Sequence, residues 1–363
     1  MKNERYYGLD ILRILCMLGV LGLHVLGRGG ILNGANGSFM KESITYFIEI
    51  LFYPAVNVFA MLTGYLYVQR EKIKTKSILN ILMTAIFYMV VITGIFYIFN
   101  ICDIRSFKKM EYIKSIIIPL NEAYWYITSY CLLFFLIPYL NNMIKTLDRQ
   151  KFQKLLGILL LFFSVITILV QEDVFKIDWG YSVLWLIVCY LLGAYIKIYS
   201  KKTNNRMKLL CILILNIVLV LLFRKIMVTI TPTIFKVKKY ENMFMVYNSL
   251  YIVINSIILL LLFKDIVIEN KHLKKVLENL SKTSFSVYII HCQYFVFFYF
   301  LNKRFKHYVE LNLIQMVVAI FSTIIVIYLM CSITDYIRIK LFKLCRVNNL
   351  IDRLGHKLDK LIG

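Results

Sequence analysis

Residues 9–24 read LDILRILCMLGVLGLH, and this stretch decides the class of the chain. It is apolar at all but three positions, Asp10, Arg13 and His24. Ionisable groups are costly inside a membrane span and mark function by default. At 100° per residue, Arg13 to His24 is three helical turns plus about 20°, and Asp10 to His24 falls about 40° short of four turns. All three side chains therefore share one stripe of a helix. The bland alternative is a terminal Asp, a snorkelling Arg and an interfacial His, but it leaves their alignment unexplained. Arg13 and His24 lie roughly 16 Å apart along the axis, too far to grip one small atom. They serve two ends of a long substrate, or one acts chemically while the other pairs with Asp10 and holds the helix.

Outward from this stretch the composition repeats its message. Of 363 residues, 60% are hydrophobic and only 17% charged, with a mean hydropathy of +0.72. No aqueous globule has interior enough for that. Stretches such as Leu155–Val170 and Leu209–Phe223 are nearly charge-free and approach the roughly 20 residues that cross a hydrocarbon core. The expected fold is an all-α membrane protein of about ten transmembrane helices in one bundle, near 9–27, 44–68, 77–99, 123–143, 153–170, 179–199, 207–223, 243–263, 283–302 and 311–332. The first run is long and interrupted by Asp10 and Arg13, so it reads as a retained helix, not a cleavable signal.

The net charge of +23 excludes nucleic acid as a partner here, because the basic residues sit in short clusters between apolar runs, where they set topology and meet the lipid bilayer. Counted on alternating sides, Lys and Arg number 27 against 15, which places both termini in the cytosol. The weak point is 224–242, with five basic residues on the outer side. The chain divides into a transmembrane domain, 1–337, and a basic amphipathic cytosolic tail, 338–363, expected to lie along the membrane surface.

The eight cysteines form no disulfide framework and no CxxC spacing, so no metal is expected. HExxH, GxSxG and P-loop patterns are absent from the sequence. His272, His307 and His356 fall in loops or the tail and read as solvated. Ser284, Tyr288 and His291 recur at i, i+4 and i+7, either as a packing stripe or as a face that meets substrate. Glu122 reads as solvated surface, and Trp125 and Tyr126 as an aromatic belt.

These segments resemble the acyltransferase 3 superfamily of polytopic membrane acyltransferases over nearly the whole chain. LDILRILCMLGVLGLH is similar to the family's Leu-Asp-x-x-Arg opening and to its Arg, ten residues, His signature, as Arg13 and His24. NVFAMLTGYLYVQRE, YWYITSYCLLFFLIPYLN, LLGAYIKIYS and SKTSFSVYIIH resemble later segments in the right order, the second of these especially in members that acylate exopolysaccharides and capsules. The resemblance implies an integral membrane O-acetyltransferase of the cell membrane. It moves an acyl group, usually acetyl, from cytosolic acyl-CoA to a hydroxyl of a cell-surface or lipid-linked polysaccharide, with acyl-CoA as co-substrate and no permanently bound cofactor. It also implies His24 as catalytic, with Arg13 and Asp10 as its partners.

Where many members carry Arg-x-x-Arg near the third helix, this chain offers Arg70, Lys72, Lys74 and Lys76 for the donor's phosphates. Trp125, Tyr126, Ser284, Tyr288 and His291 remain for the acceptor or for packing. Arg13 is expected to bridge Asp10 and a second acceptor with its planar fork. A transporter or flippase for polysaccharide intermediates is the alternative, against which stand the lack of repeats and the count of only four prolines. The sugar, the hydroxyl and the oligomeric state, homo-oligomer or not, are left open.

Overall fold

The computed structural model describes residues 5–70, 72–118, 121–236 and 240–362, and among these there is no strand. In chain order the helices are α1 (Tyr7–Leu26), α2 (Ile31–Ala35), α3 (Phe39–Phe52), α4 (Pro54–Tyr67), α5 (Lys76–Ile98), α6 (Lys109–Ile116), α7 (Trp125–Lys145) and α8 (Arg149–Leu160). They continue with α9 (Thr167–Val170), α10 (Val183–Tyr199), α11 (Arg206–Phe235), α12 (Leu250–Phe263), α13 (Lys271–His291), α14 (Leu313–Leu344) and α15 (Val347–Ile362). The start signals are local. Asp148, Asn205, Asn270 and Asn312 each accept a backbone N–H three residues on, and Pro54 occupies the first position of α4, where no N–H is needed.

Among the described residues seven helical stretches are long and apolar enough to cross a membrane, α3 and α4 together making one of them, and α10 and α12 are shorter apolar helices. The chain is thus an all-α membrane bundle. The expected helix over 283–302 is broken. α13 starts twelve residues earlier, at Lys271, and stops at His291. The side chain of Gln293 then accepts the N–H groups of Phe295 and Val296, which opens a separate π turn over Val296–Phe300. The expected tail boundary at 338 falls inside α14, which continues to Leu344 with Arg338 doubly bonded to Asp335. Only α15 is a separate tail helix, and it docks by Asp359 on Thr75 and by Asp352 on Lys76.

Contacts at the two ends follow the alternation of the loops. At one end Lys197 reaches the Tyr6 hydroxyl, Asn141 reaches the carbonyls of Tyr67 and Arg70, and Thr75 holds Asp359, so the two chain ends lie together. At the other end Arg28 and Gly29 carbonyls receive the N–H groups of Lys303 and Phe305. Two cations of the troublesome 224–242 segment are accounted for here, since Arg224 and Lys225 both pair with Glu42, at 2.8 and 3.3 Å. Lys238 and Lys239 lie outside the described residues.

The tightest crossing joins α4 and α10. A Cβ on Gly64 would stand 1.9 Å from the Tyr190 carbonyl oxygen, and one on Gly193 would stand 1.9 Å from that of Met61. Backbone meets backbone there, as small residues permit in membrane helices.

Candidate active site

α1 and α13 run in the same direction and touch through polar groups at both ends of their seam. At the first end Asp10, 4% exposed, accepts from Arg13 Nη1 at 2.8 Å and from Ser281 Oγ at 2.6 Å on one oxygen, and from Arg5 Nε at 2.6 Å on the other. Arg13 Nη1 also lies 2.8 Å from Ser281 Oγ. Arg13 thus bridges Asp10 and a second acceptor, as expected, but with a single nitrogen and not with its planar fork. Ser281 carries no signal in a single sequence, being one hydroxyl among several in SKTSFS.

At the second end His24 Nδ1 lies 2.8 Å from His291 Nε2, and His291 Nδ1 lies 2.6 Å from the Val287 carbonyl oxygen. A carbonyl only accepts, so His291 Nδ1 carries a proton. For a neutral pair, His291 Nε2 then holds a lone pair and accepts from His24 Nδ1–H. His24 Nε2 is left as the unprotonated nitrogen. The carbonyl of Val287 thus fixes two tautomers in series.

Cys292 Sγ completes a three-donor group, 3.4 Å from His291 Nε2 and 3.7 Å from His24 Nδ1. Two nitrogens about 2.0–2.1 Å from a tetrahedral zinc ion stand roughly 3.3 Å apart. The 2.8 Å separation here is shorter and fits a hydrogen bond. The two imidazoles are more nearly arranged for each other than for an ion.

His24 lines a cavity of about 310 Å³ whose other walls are largely aromatic. Trp125 stands against Tyr181 and Tyr247, with ring centroids 4.7 and 6.0 Å away, and Phe297 presents itself edge-on to His24 at 4.8 Å. The wall is bolted to the helix that carries His291. Tyr288 donates to the Ala123 carbonyl at 2.6 Å, Tyr124 to that of Ile289, and Asn121 to that of Cys292 at 3.1 Å. Glu122 is 77% exposed yet sits on the cavity wall, 3.8 Å from Lys114. A chamber with stacked rings, one carboxylate at its edge and one unprotonated imidazole nitrogen can hold a flat-faced polar molecule and take a proton from it.

The family model described as an acyltransferase domain, that of the acyltransferase 3 family, matches residues 6–332. This chain belongs to that family. No curated protein and no solved structure matches it.

As a membrane acyltransferase, the chain shows why its family-like segments hold the residues they do. Thr63-Gly64 and the Gly193 of LLGAYIKIYS form the close crossing of α4 and α10. In YWYITSY, Tyr124 is a bolt and Trp125 and Tyr126 face the cavity, so they are more than a belt. Of the stripe on α13, Tyr288 and His291 reach the site, whereas Ser284 is turned to the Tyr328 hydroxyl at 2.9 Å. The basic residues before α5 disperse. The Arg70 guanidinium lies over the Tyr67 ring at 4.2 Å, Lys72 and Lys74 are exposed, and Lys76 pairs with Asp352. Asp335 of α14, fully buried and bonded to Tyr88 and Arg338, is an intramembrane-type carboxylate that sequence reading overlooked. It stands three residues beyond the expected span 311–332, outside the stretch in which an ionisable group draws notice.

Proposed function

We propose that this acyltransferase moves an acetyl group from cytosolic acyl-CoA to a hydroxyl of a cell-surface or lipid-linked polysaccharide in the cell membrane, with His24 as general base. The observation that carries the reading is the series Val287 carbonyl, His291, His24, which ends on an unprotonated nitrogen of a residue lining an aromatic chamber. In the reaction His24 Nε2 takes the hydroxyl proton as the oxygen attacks the thioester carbonyl. The carbon–sulfur bond breaks, and the leaving thiolate receives that proton, so the imidazole is restored. Positive charge formed on His24 is shared along the hydrogen bond to His291. Trp125, Tyr126 and Tyr181 offer ring faces against which a pyranose can stack, and Glu122 an acceptor for its hydroxyls.

Asp10 and Arg13 are positioning residues in this scheme, because their contacts lie at the far end of the seam. The support for a hydroxyl acceptor is the pairing of an aromatic wall with a base; the support for acetyl and for polysaccharide is the family-like segments. The test is mass spectrometry of surface polysaccharide from cells with the intact chain, without it, and with His24→Ala, fed isotopically labelled acetate. Labelled ester found only with the intact chain is the expected result. Ester that persists without the chain, or with His24→Ala at full expression, overturns the reading.

A further inference from the structure

A second cavity, of about 420 Å³, opens between α5, α13, α14 and α15, at the end of the bundle that carries α15. Lys76, Lys282 and Arg338 bring three cations to its walls, Asn80 and Asn348 bring amides, and no carboxylate lines it. The chamber around His24 has the opposite character, with Glu122 and no Lys or Arg.

Arg338 is held ready. Its Nε and Nη2 donate to the two oxygens of Asp335, at 2.8 and 3.1 Å, and Asp335 is itself buried and takes the Tyr88 hydroxyl. The Arg338 side chain is only 12% exposed, and its remaining nitrogen, Nη1, makes no hydrogen bond among the described residues. Lys282 is exposed and makes no ion pair among them. Asp352 already pairs with Lys76 and Asp335 with Arg338, so what the cavity offers an anion is the unpaired Lys282 and the Nη1 of a guanidinium held in place, an arrangement that suits phosphate oxygens.

We propose that this cavity is a binding site for phosphate-ester groups, and that the group it takes is the nucleotide phosphate of the acyl donor. The donor assignment rests on the reading above; the phosphate chemistry does not. Phe285 ties the two places together. It lines both cavities, with its ring 5.8 Å from Tyr288 and 6.4 Å from Tyr130. Phe285 is thus the side chain that the basic cavity and the chamber of His24 have in common. A molecule with its phosphates at Lys282 and Arg338 would reach His24 by passing this ring. Lys282 and His291 stand nine residues apart on α13, about 13 Å by helical rise.

The phosphate could also be a lipid headgroup, and the experiment separates the sources. Full-length protein in phosphatidylcholine nanodiscs is titrated with radiolabelled coenzyme A, with 3′,5′-ADP as competitor, and in a second arm with phosphatidylglycerol followed by native mass spectrometry. Expected are competition by 3′,5′-ADP and a coenzyme A Kd raised about tenfold or more by Lys282→Glu and by Asn348→Asp. Retention of phosphatidylglycerol alone, lost in Lys282→Glu, keeps the phosphate site but overturns the donor assignment. Binding of both probes unaffected by both charge changes, or binding of neither, overturns the site. Because binding and not turnover is read, Lys282-dependent coenzyme A binding without acyl transfer would leave this site standing and remove the proposed reaction.

Discussion

The two ends of the α1–α13 seam each carry a cluster of polar contacts, and they are built on opposite plans. Around Asp10 the plan is an ion pair and the carboxylate is fully engaged, both of its oxygens being bonded to Arg5, Arg13 and Ser281. Around His24 the groups need carry no charge, and one ring nitrogen is left over beside open space. Charge is what makes a residue conspicuous in an apolar sequence, but a fully satisfied charge is a fastener. In the proposed reaction the end that acts is the one with a lone pair to spare.

The largest effect expected from this contrast is at His24. His24→Ala should lower acyl transfer by about 10²–10⁴-fold, the usual worth of a general base, with unchanged insertion and melting temperature. His291→Ala should follow closely, at roughly 10²-fold, because it frees His24 to adopt the other tautomer. The double variant should be no slower than His24→Ala alone, since the two act as one unit. Steady-state rates of the three proteins check this, and additive losses would break the serial arrangement.

At the fastened end the sign should be reversed, with stability lost and chemistry kept. Arg13→Ala leaves the buried Asp10 short of a partner and should cost about 3 kcal/mol, read as a fall in melting temperature in detergent. Arg13→Lys should cost much less, because one nitrogen does the work in the native contact. A collapse of rate in stable Arg13→Lys would show that Arg13 also meets substrate.

The smallest expected effect lies farthest from the seam. The backbone N–H and the hydroxyl of Thr75 hold the Asp359 carboxyl below its ordinary value of 3.8. A lowered value means that the contact stabilises the docked α15 above that pH and is lost as pH falls through the lowered value. Limited proteolysis should find α15 protected at neutral pH and increasingly cut as the pH is taken below 3.8, and Asp359→Ala should be cut at neutral pH as well.

Much of this was legible in the sequence, for a physical reason. Helical periodicity puts Asp10, Arg13 and His24 on one stripe, and apolar length marks the spans, because both depend on neighbours within one element. The partner of His24 was not legible. His291 is 267 residues away, and only packing of α13 along α1 joins them. The end of α13 was hidden for a similar reason. Gln293 turns its side chain back onto Phe295 and Val296, and nothing in the run IIHCQYFVFFYF distinguishes that from continued helix. Lys76 was singled out with its neighbours as one cluster, whereas the fold separates it from Arg70 and places it opposite Lys282.

The reciprocal glycine crossing has a consequence for what the chamber can accept. With Gly64 against the Tyr190 carbonyl and Gly193 against that of Met61, the spacing of α4 and α10 is set by main chain, which has no rotamers to yield. Val56 and Phe59, the chamber's lining from α4, therefore stand on a rigid foundation. The facing wall, with Phe297 and Phe298, hangs from the π turn over Val296–Phe300, where no residue is fully buried. An acceptor of unfamiliar shape would be fitted by movement of that second wall alone, so variation among acceptors should be written in the side chains of the π turn, and the glycine-backed face should be common to all of them.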